Sequence, residues 1–393
     1  MNWKRKLERN WGRLGMKCKL EEICLFRMGK TDVANLTTET YISTENMLPN
    51  KSGIVNAASL PTIDLTQAYE KGDVLVSNIR PYFKKIWKAK INGGCSNDVL
   101  VFTAKENTDS DFLYYVLADD AFFSYAMATS KGTKMPRGDK KSIMQYEVPC
   151  YDIETQQKIA SILKSIDEKI ELNNEINNNL EQQAQAIFSN EFLSLETLPD
   201  SWKKSSLIDV ADYLNGLAMQ KYRPTASETG IPVLKIKELR QDYCDNNSEL
   251  CSPNIKSEYI IHNGDVIFSW SGSLLVDFWC GGICGLNQHL FKVTSSKYDK
   301  WFFYAWTKHH LDRFIAAAAD KATTLGHIKR DELSKAEVFI PSEADYNRIG
   351  ALIQPIYDLI ISNRIENKKL VSLRDALLPR LMSGEIDISS LDL

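Results

Sequence analysis

The sequence predicts an α+β protein written twice: two mixed α/β globular halves, each followed by a long helix with a coiled-coil seam. Three observations predict it. Segments recur with a period of about 190 residues, the mark of an internal duplication. Short β-rich runs alternate with Gly, Asn and Asp turns in both halves. Two stretches carry apolar residues at alternating spacings of four and three, which is a heptad seam.

The repeat runs in order along the chain. The segment 72-GDVLVSNI-79 aligns with 264-GDVIFSWS-271, 41-YISTENM-47 with 233-VLKIKEL-239, and 147-EVP-149 with 339-FIP-341. Then 158-KIASIL-163 aligns with 348-RIGALI-353, and Asn173, Asn177 and Leu180 fall on Asn363, Asn367 and Leu370. Strands are expected at Val74–Ile79, Val99–Thr103, Val233–Ile236 and Val266–Trp270. Helices are expected over Asp111–Ala128 and Asp299–Ala319, where apolar residues recur at three and four. Each half closes at a proline, Pro149 or Pro341, at a position suited to a boundary. The expected domains are 1–152 and 193–342, with helices at 153–192 and 343–393 including the tail.

From Glu154 to Phe192 the chain has neither Pro nor Gly, and Ile159, Leu163, Ile166, Ile170, Leu180, Ala184 and Ile187 mark the seam. The second helix repeats it with Ile349, Ile353, Ile356, Ile360, Leu370, Arg374 and Leu377, and Pro355 predicts a kink or weak first turns. Each helix would be about 50–55 Å long. The middle seam slots hold Asn173 and Asn177 in one helix and Asn363 and Asn367 in the other. Asparagine is a poor helix former and a poor core residue. If the helices pair antiparallel, the asparagines meet near the crossing centre and specify register, because a slip sets an amide against leucine. Exposure on a loosely packed helix is the alternative. Two similar modules on a rigid spacer suit a ligand with two half-sites at fixed separation, and on DNA separation also sets angular phase.

Composition bounds the class. The 393 residues are 44% hydrophobic and 25% charged, as in ordinary globular protein. No apolar run is long enough to cross a bilayer, and MNWKRKLERNWGRLG lacks the apolar core of a signal peptide. The eight cysteines are irregularly spaced and read as reduced cytosolic thiols. Cys280, Cys284 and His289 fit no zinc spacing well, so no metal is expected. The net charge of −3 excludes a uniformly basic nucleic-acid binder, yet cations gather locally. Val74–Asn97 holds Arg80, Lys84, Lys85, Lys88 and Lys90 and no acid, and 131-KGTKMPRGDKK-141 holds five cations against Asp139. Such patches suit a polyanion.

Taken together, the duplicated 72-GDVLVS-77 and 264-GDVIFS-269, the helix entries 154-ETQQKIASILKSIDEKIELNN-174 and 345-DYNRIGALIQPIYDLIISN-363, and the close 377-LLPRLMSGEIDIS-389 resemble the specificity subunits of type I restriction-modification systems. The resemblance covers nearly the whole chain after Lys17; the basic leader 1–15 departs from it, and Met16 is a possible alternative start. It implies two target recognition domains, each reading one half of a bipartite, asymmetric site on double-stranded DNA. It implies that the antiparallel helices set the unread gap and dock two methyltransferase subunits, with two restriction/translocase subunits joining for cleavage. It implies a cytoplasmic, non-catalytic subunit with no cofactor and no membrane partner.

Reading DNA needs cations for phosphates and amides, hydroxyls or guanidinium forks for base edges. In the first half the candidates are Arg80, Tyr82, Lys84 and Lys85, then Lys134, Met135 and Arg137 in a loop similar to the family's Met-Pro element. In the second they are Ser271, Asn287, Gln288, His289, Lys321, Thr323, Thr324 and His327. Lys30, Lys221, Tyr222 and Arg223 lie in loops near each domain start. For any single lysine the plain alternative is a solvated charge; for Tyr82 and Trp270 it is core packing.

Catalytic signatures are missing. There is no Gly-rich cofactor turn, no Asn-Pro-Pro-aromatic element and no phosphate-binding loop. Asp167, Glu168 and Lys169 are consecutive on a helix and point to different faces. The competing readings are a non-DNA coiled-coil scaffold and a compact methyltransferase or nuclease with unrecognised motifs.

Overall fold

A computed structural model of the chain describes residues 17–319, 330–386 and 388. The leader 1–15, Met16 and the candidates Lys321, Thr323, Thr324 and His327 lie outside the described residues. The chain forms two compact units, one of Met1–Glu168 with Leu370–Leu393, the other of Lys169–Lys369.

The duplication is visible in the sheets. In the first unit an antiparallel sheet orders Cys24–Phe26, Val99–Ala104, Val74–Ser77 and Ile86–Lys88. In the second the order is Asp212–Asn215, Leu290–Thr294, Val266–Ser269 and Leu275–Phe278. A further sheet in each unit centres on a short strand, Gly93–Cys95 or Cys284–Leu286. Each centre has a parallel neighbour, Tyr41–Ile42 or Ile231–Leu234, and an antiparallel one, Leu65–Tyr69 or Ile260–Ile261. The fourth strand differs: Lys30–Asp32 extends the antiparallel side, whereas Leu250–Cys251 extends the parallel side. Strand Ile231–Leu234 stops short of the expected Ile236, which instead opens the helix Ile236–Gln241 with Glu238 capping the Lys235 amide.

The repeated Gly-Asp pair is a turn device. Gly72 and Gly264 have φ of 95° and 83°, conformations that disfavour a side chain. The Asp73 carboxylate accepts the Glu70 amide at 2.8 Å, and Asp265 accepts the His262 amide at 2.9 Å. Asp73, 2% exposed, also receives Arg27 and Thr103, so its buried charge is paired and hydrogen-bonded.

The expected helix over Asp111–Ala128 is two, Ser110–Ala118 and Asp120–Ala128. Asp119 breaks it: its backbone is extended and its carboxylate caps the Ala121 amide. Likewise Asp299–Ala319 resolves into Lys300–His309 and Leu311–Ala319. The first long helix is Ile153–Phe188, followed by a π-helical turn at Ser189–Leu193. The second, Glu343–Ser383, passes through Pro355 without interruption, and its first turns are helical. Its 41 residues make it about 60 Å long.

Each unit buries segments of both long helices. In the first, Ile159, Leu163, Leu378, Leu381 and Met382 share a core with Phe102, Phe112 and Phe122. The Tyr151 hydroxyl donates to the carbonyls of Leu381 and Met382, both at 3.2 Å. In the second, Ala184, Phe188, Ile349, Ile353, Tyr357 and Ile360 pack with Trp301, Phe302 and Trp306. Early residues of both helices also brace a neighbouring helix. Gln156 accepts the Asp109 amide and the Tyr346 hydroxyl accepts the Asp299 amide, at 2.9 and 2.7 Å.

Candidate nucleic-acid interface

In the first unit the two basic stretches come together. The Arg80 amide donates to Pro136 O at 2.8 Å, Ile79 forms a bridge with Arg137, and Arg137 bridges back to Lys131. Strand Val74–Ser77 thus ends in a turn laid against the 131–138 loop. Arg80 has φ of 50°, a left-handed conformation costly for a residue with a Cβ. Its counterpart in the second half is Gly272, at φ of 65°. Glycine relieves the strain there, whereas arginine bears it here. Its Nε is buried with no hydrogen-bond partner among the described residues. Lys84, Asn50 and Lys51 also have positive φ, and the Asn50 and Lys51 amides donate to the carbonyls of Phe83 and Lys84. Four of the five non-glycine residues with positive φ among the described residues therefore gather around one turn.

Side chains on that turn divide into free and engaged. Tyr82 is 49% exposed, its ring 4.6 Å from that of Phe83, so it is not a core aromatic. Lys84 pairs with Asp120 at 2.7 Å, where Lys51 joins it at 2.9 Å. Burial opposes ionisation of Asp120, but hydrogen bonds from Lys84 and Lys51 hold its carboxyl below the usual range. Lys85 donates to Thr44 O at 2.6 Å and is half-buried, which pushes its amine down. Lys134 and Met135 are exposed at the loop tip. Arg137 is exposed and bonded through Nη2 to Asp98 at 3.1 Å. Lys30 stands exposed on its strand, apart from these contacts.

The second unit assembles a different cluster at the matching place. Ser271, 3% exposed, lies with its Oγ 3.1 Å from His289 Nδ1. Asn287 Oδ1 accepts the His289 amide at 3.2 Å, and Gln288 Nε2 lies 3.4 Å from His289 Nε2. Trp270 packs on Phe291 and donates through Nε1 to Asn215 at 3.0 Å. Gly216 lets the backbones meet: a Cβ there would lie 2.2 Å from Asn287 O. Lys221 and Tyr222 are exposed, and Arg223 bonds Glu249 at 2.5 Å.

Sequence reasoning passed over Asn215, Trp270 as a polar handle, and the first half's own version of the Asn287–His289 turn. That version is 96-SND-98. The Ser96 hydroxyl accepts the Asp98 amide at 3.1 Å, as Asn287 does for His289, and the Val99 and Leu290 amides close both turns at 2.9 and 3.0 Å. Ser77 and Ser269 repeat too, each donating its hydroxyl two residues on, to Ile79 O and Ser271 O at 3.2 Å.

The seam asparagines meet in antiparallel order inside the second unit. Asn173 Nδ2 donates to Asn367 Oδ1 at 2.8 Å and to Glu366 at 2.7 Å. Asn363 Nδ2 donates to Asn177 Oδ1 at 2.9 Å, and Asn367 reaches Asn174 at 2.9 Å. Asn173, Asn177 and Asn363 are buried. In the first unit the seam continues as an ion pair, Arg374 with Asp167 at 2.8 Å. No group of three potential metal ligands occurs among the described residues. Nor is any described helix long and apolar enough to cross a membrane.

Comparison with known proteins follows this duplication. The family model for the type I restriction modification DNA specificity domain matches twice, over residues 15–182 and 199–371. The type I restriction enzyme MjaIX specificity subunit of Methanocaldococcus jannaschii is 25% identical over 350 residues, 82% of this chain and 79% of that protein. The HindI specificity subunit of Haemophilus influenzae is 23% identical over 88% of this chain and 94% of its own. In fold, the crystal structure of a type I restriction-modification S subunit from M. genitalium matches with a TM-score of 0.59 at 14% identity, covering 95% of this chain and 96% of that one. With the specificity domain matched in both halves, the chain belongs to the type I restriction-modification DNA specificity family.

Proposed function

We propose that this chain selects the DNA site for a type I restriction-modification complex, each globular half reading one part of a bipartite, asymmetric sequence. The observation that carries the reading is one turn built twice with unlike tips, Ser96-Asn97-Asp98 and Asn287-Gln288-His289. Two frames of one design with different donors and acceptors suit two different base sequences. In the first half Arg80, Tyr82, Lys134, Met135 and Arg137 contact DNA. In the second, Ser271, Asn287, Gln288 and His289 do so; Lys30 in the first half and Lys221, Tyr222 and Arg223 in the second steady phosphates. Lys84 and Lys85 hold the first turn in shape, since both are already bonded within the protein. The domains are 1–152 and 193–342, and 153–192 and 343–393 form the spacer. Asn173, Asn177, Asn363 and Asn367 set its register, and register sets the unread gap. Two methyltransferase subunits dock on the helices, and two restriction/translocase subunits complete the nuclease; methylation and cleavage are their chemistry.

The test is to co-express the chain with its neighbouring methyltransferase subunit and map methylated adenines across the host genome. A single split motif, two short blocks around a fixed gap, is expected. Deleting one heptad from each long helix shortens the spacer by about 10 Å, or about three base pairs of gap, with the blocks unchanged. A continuous palindrome, or methylation without a gap, refutes the reading.

A further inference from the structure

The 96–98 turn sets an acid, Asp98, against Arg137 of the cationic 131–138 loop. Arg137 is held there from both sides. Its amide and carbonyl are bonded to Lys131 at 3.0 and 2.9 Å, and its neighbour Pro136 accepts from Arg80 at 2.8 Å. Asp98 is equally fixed, its amide on Ser96 Oγ and its carbonyl accepting the Asn78 amide at 2.8 Å. Both carboxylate oxygens face Nη2 of Arg137, at 3.1 and 3.3 Å. Among the described residues Nη1 and Nε of Arg137 have no acceptor, and its side chain is 55% exposed. The result is a guanidinium anchored through Nη2, with the N–H groups of Nη1 and Nε open to a further acceptor.

A carboxylate in this place is wrong for a phosphate, which it would repel, and right for a base edge. Guanine presents N7 and O6 to a guanidinium fork, and its partner cytosine presents an N4 amino donor that a carboxylate accepts. An arginine beside an aspartate is therefore complementary to both members of a G·C pair. We propose that Asp98 is a specificity-determining residue: it positions Arg137 on guanine, takes the cytosine amino group, and so makes the pair a reader of one G·C step in the first half-site. The inference rests on the DNA-reading function proposed above.

The experiment uses the full chain in complex with its methyltransferase subunit, and compares wild type, R137A, D98A and D98N by genome methylation maps. Competition with oligonucleotides carrying each base substitution in turn completes it. R137A and D98A are expected to relax the same G·C position in one block, each losing about 5- to 150-fold of discrimination, with the other block untouched. D98N keeps an oxygen acceptor for Arg137 and loses the charge, so it falls between. Thermal unfolding of the variants separates a packing effect, since a purely structural ion pair would shift the melting temperature and weaken every site equally. A split wild-type site whose base preferences are unchanged in D98A, or relaxed uniformly, overturns the inference alone. A wild-type complex that methylates no split site overturns the DNA reading and this inference with it.

Discussion

Replacing the buried pair Asn177 and Asn363 tests whether the helix seam is held by mutual dependence of its amides. They are 7% and 8% exposed, and Asn363 Nδ2 donates to Asn177 Oδ1 at 2.9 Å. N177L removes the acceptor and leaves the Asn363 amide buried with no partner, a cost of about 1–3 kcal/mol. N363L does the same to Asn177. The double variant N177L/N363L removes both polar groups, so the desolvation cost disappears and two leucines are buried. It is expected to be as stable as wild type or more so. The coupling between the substitutions is then opposite in sign to the single losses and about as large as their sum, about 2–6 kcal/mol, from the upper part of the range of about 0.5–3 kcal/mol usual for contacting residues to beyond it. Urea unfolding of the four full-length proteins measures it. Unaltered single variants, or a double variant as weak as the two singles added, would refute the reasoning. Replacing Asn173 and Asn367 as well removes the two remaining cross-helix amide contacts, Asn173 with Asn367 and Asn367 with Asn174, and more than one gap length should then appear in the methylation map.

Two further outcomes follow from the second and first units. His310 donates through Nε2 to Glu337 O at 2.8 Å, and burial pushes its pKa down to about 4. The unfolded chain binds this proton more readily than the folded one, so stability is complete above about pH 6.5 and falls as pH drops toward 4, by about 3 kcal/mol in all; H310Q should flatten that decline in unfolding measured across the window. R80G gives the first turn the residue its counterpart Gly272 already has. Relief of left-handed strain and greater freedom of the unfolded chain roughly cancel, so stability should move by less than about 1 kcal/mol while affinity for DNA falls, as titration of the complex would show.

Much of the fold was legible because it is periodic. The Gly-Asp turns, the two seams and their asparagines recur in register, and recurrence separates a designed position from an accident of composition. The candidate interface was harder. The turn at Asn287 was found because its side chains are typical base readers, while its twin at Ser96 went unseen because its tip residues are unlike in kind. That Arg80 occupies a glycine position is written in the alignment with Gly272, but its meaning depends on backbone angles. The pairing of Lys84 with Asp120 lay beyond the reach of local pattern, because Asp120 is on a separate helix. Asp119 split a helix that periodicity alone would join, since a cap acts through one oxygen and leaves the apolar spacing intact.

The first unit takes part of its core from the end of the chain. Leu378, Leu381 and Met382 join Ile159 and Leu163, whereas the second unit is the uninterrupted stretch Lys169–Lys369. On the ribosome, where chains emerge N-terminus first at about 5–20 residues per second, the order of completion is therefore inverted. The C-terminal half has all its residues while the N-terminal half still waits, its apolar helix face open, until the last turns of the second helix arrive. Without Leu378, Leu381 and Met382 the second unit would stay whole, while the first would lose one wall of its core.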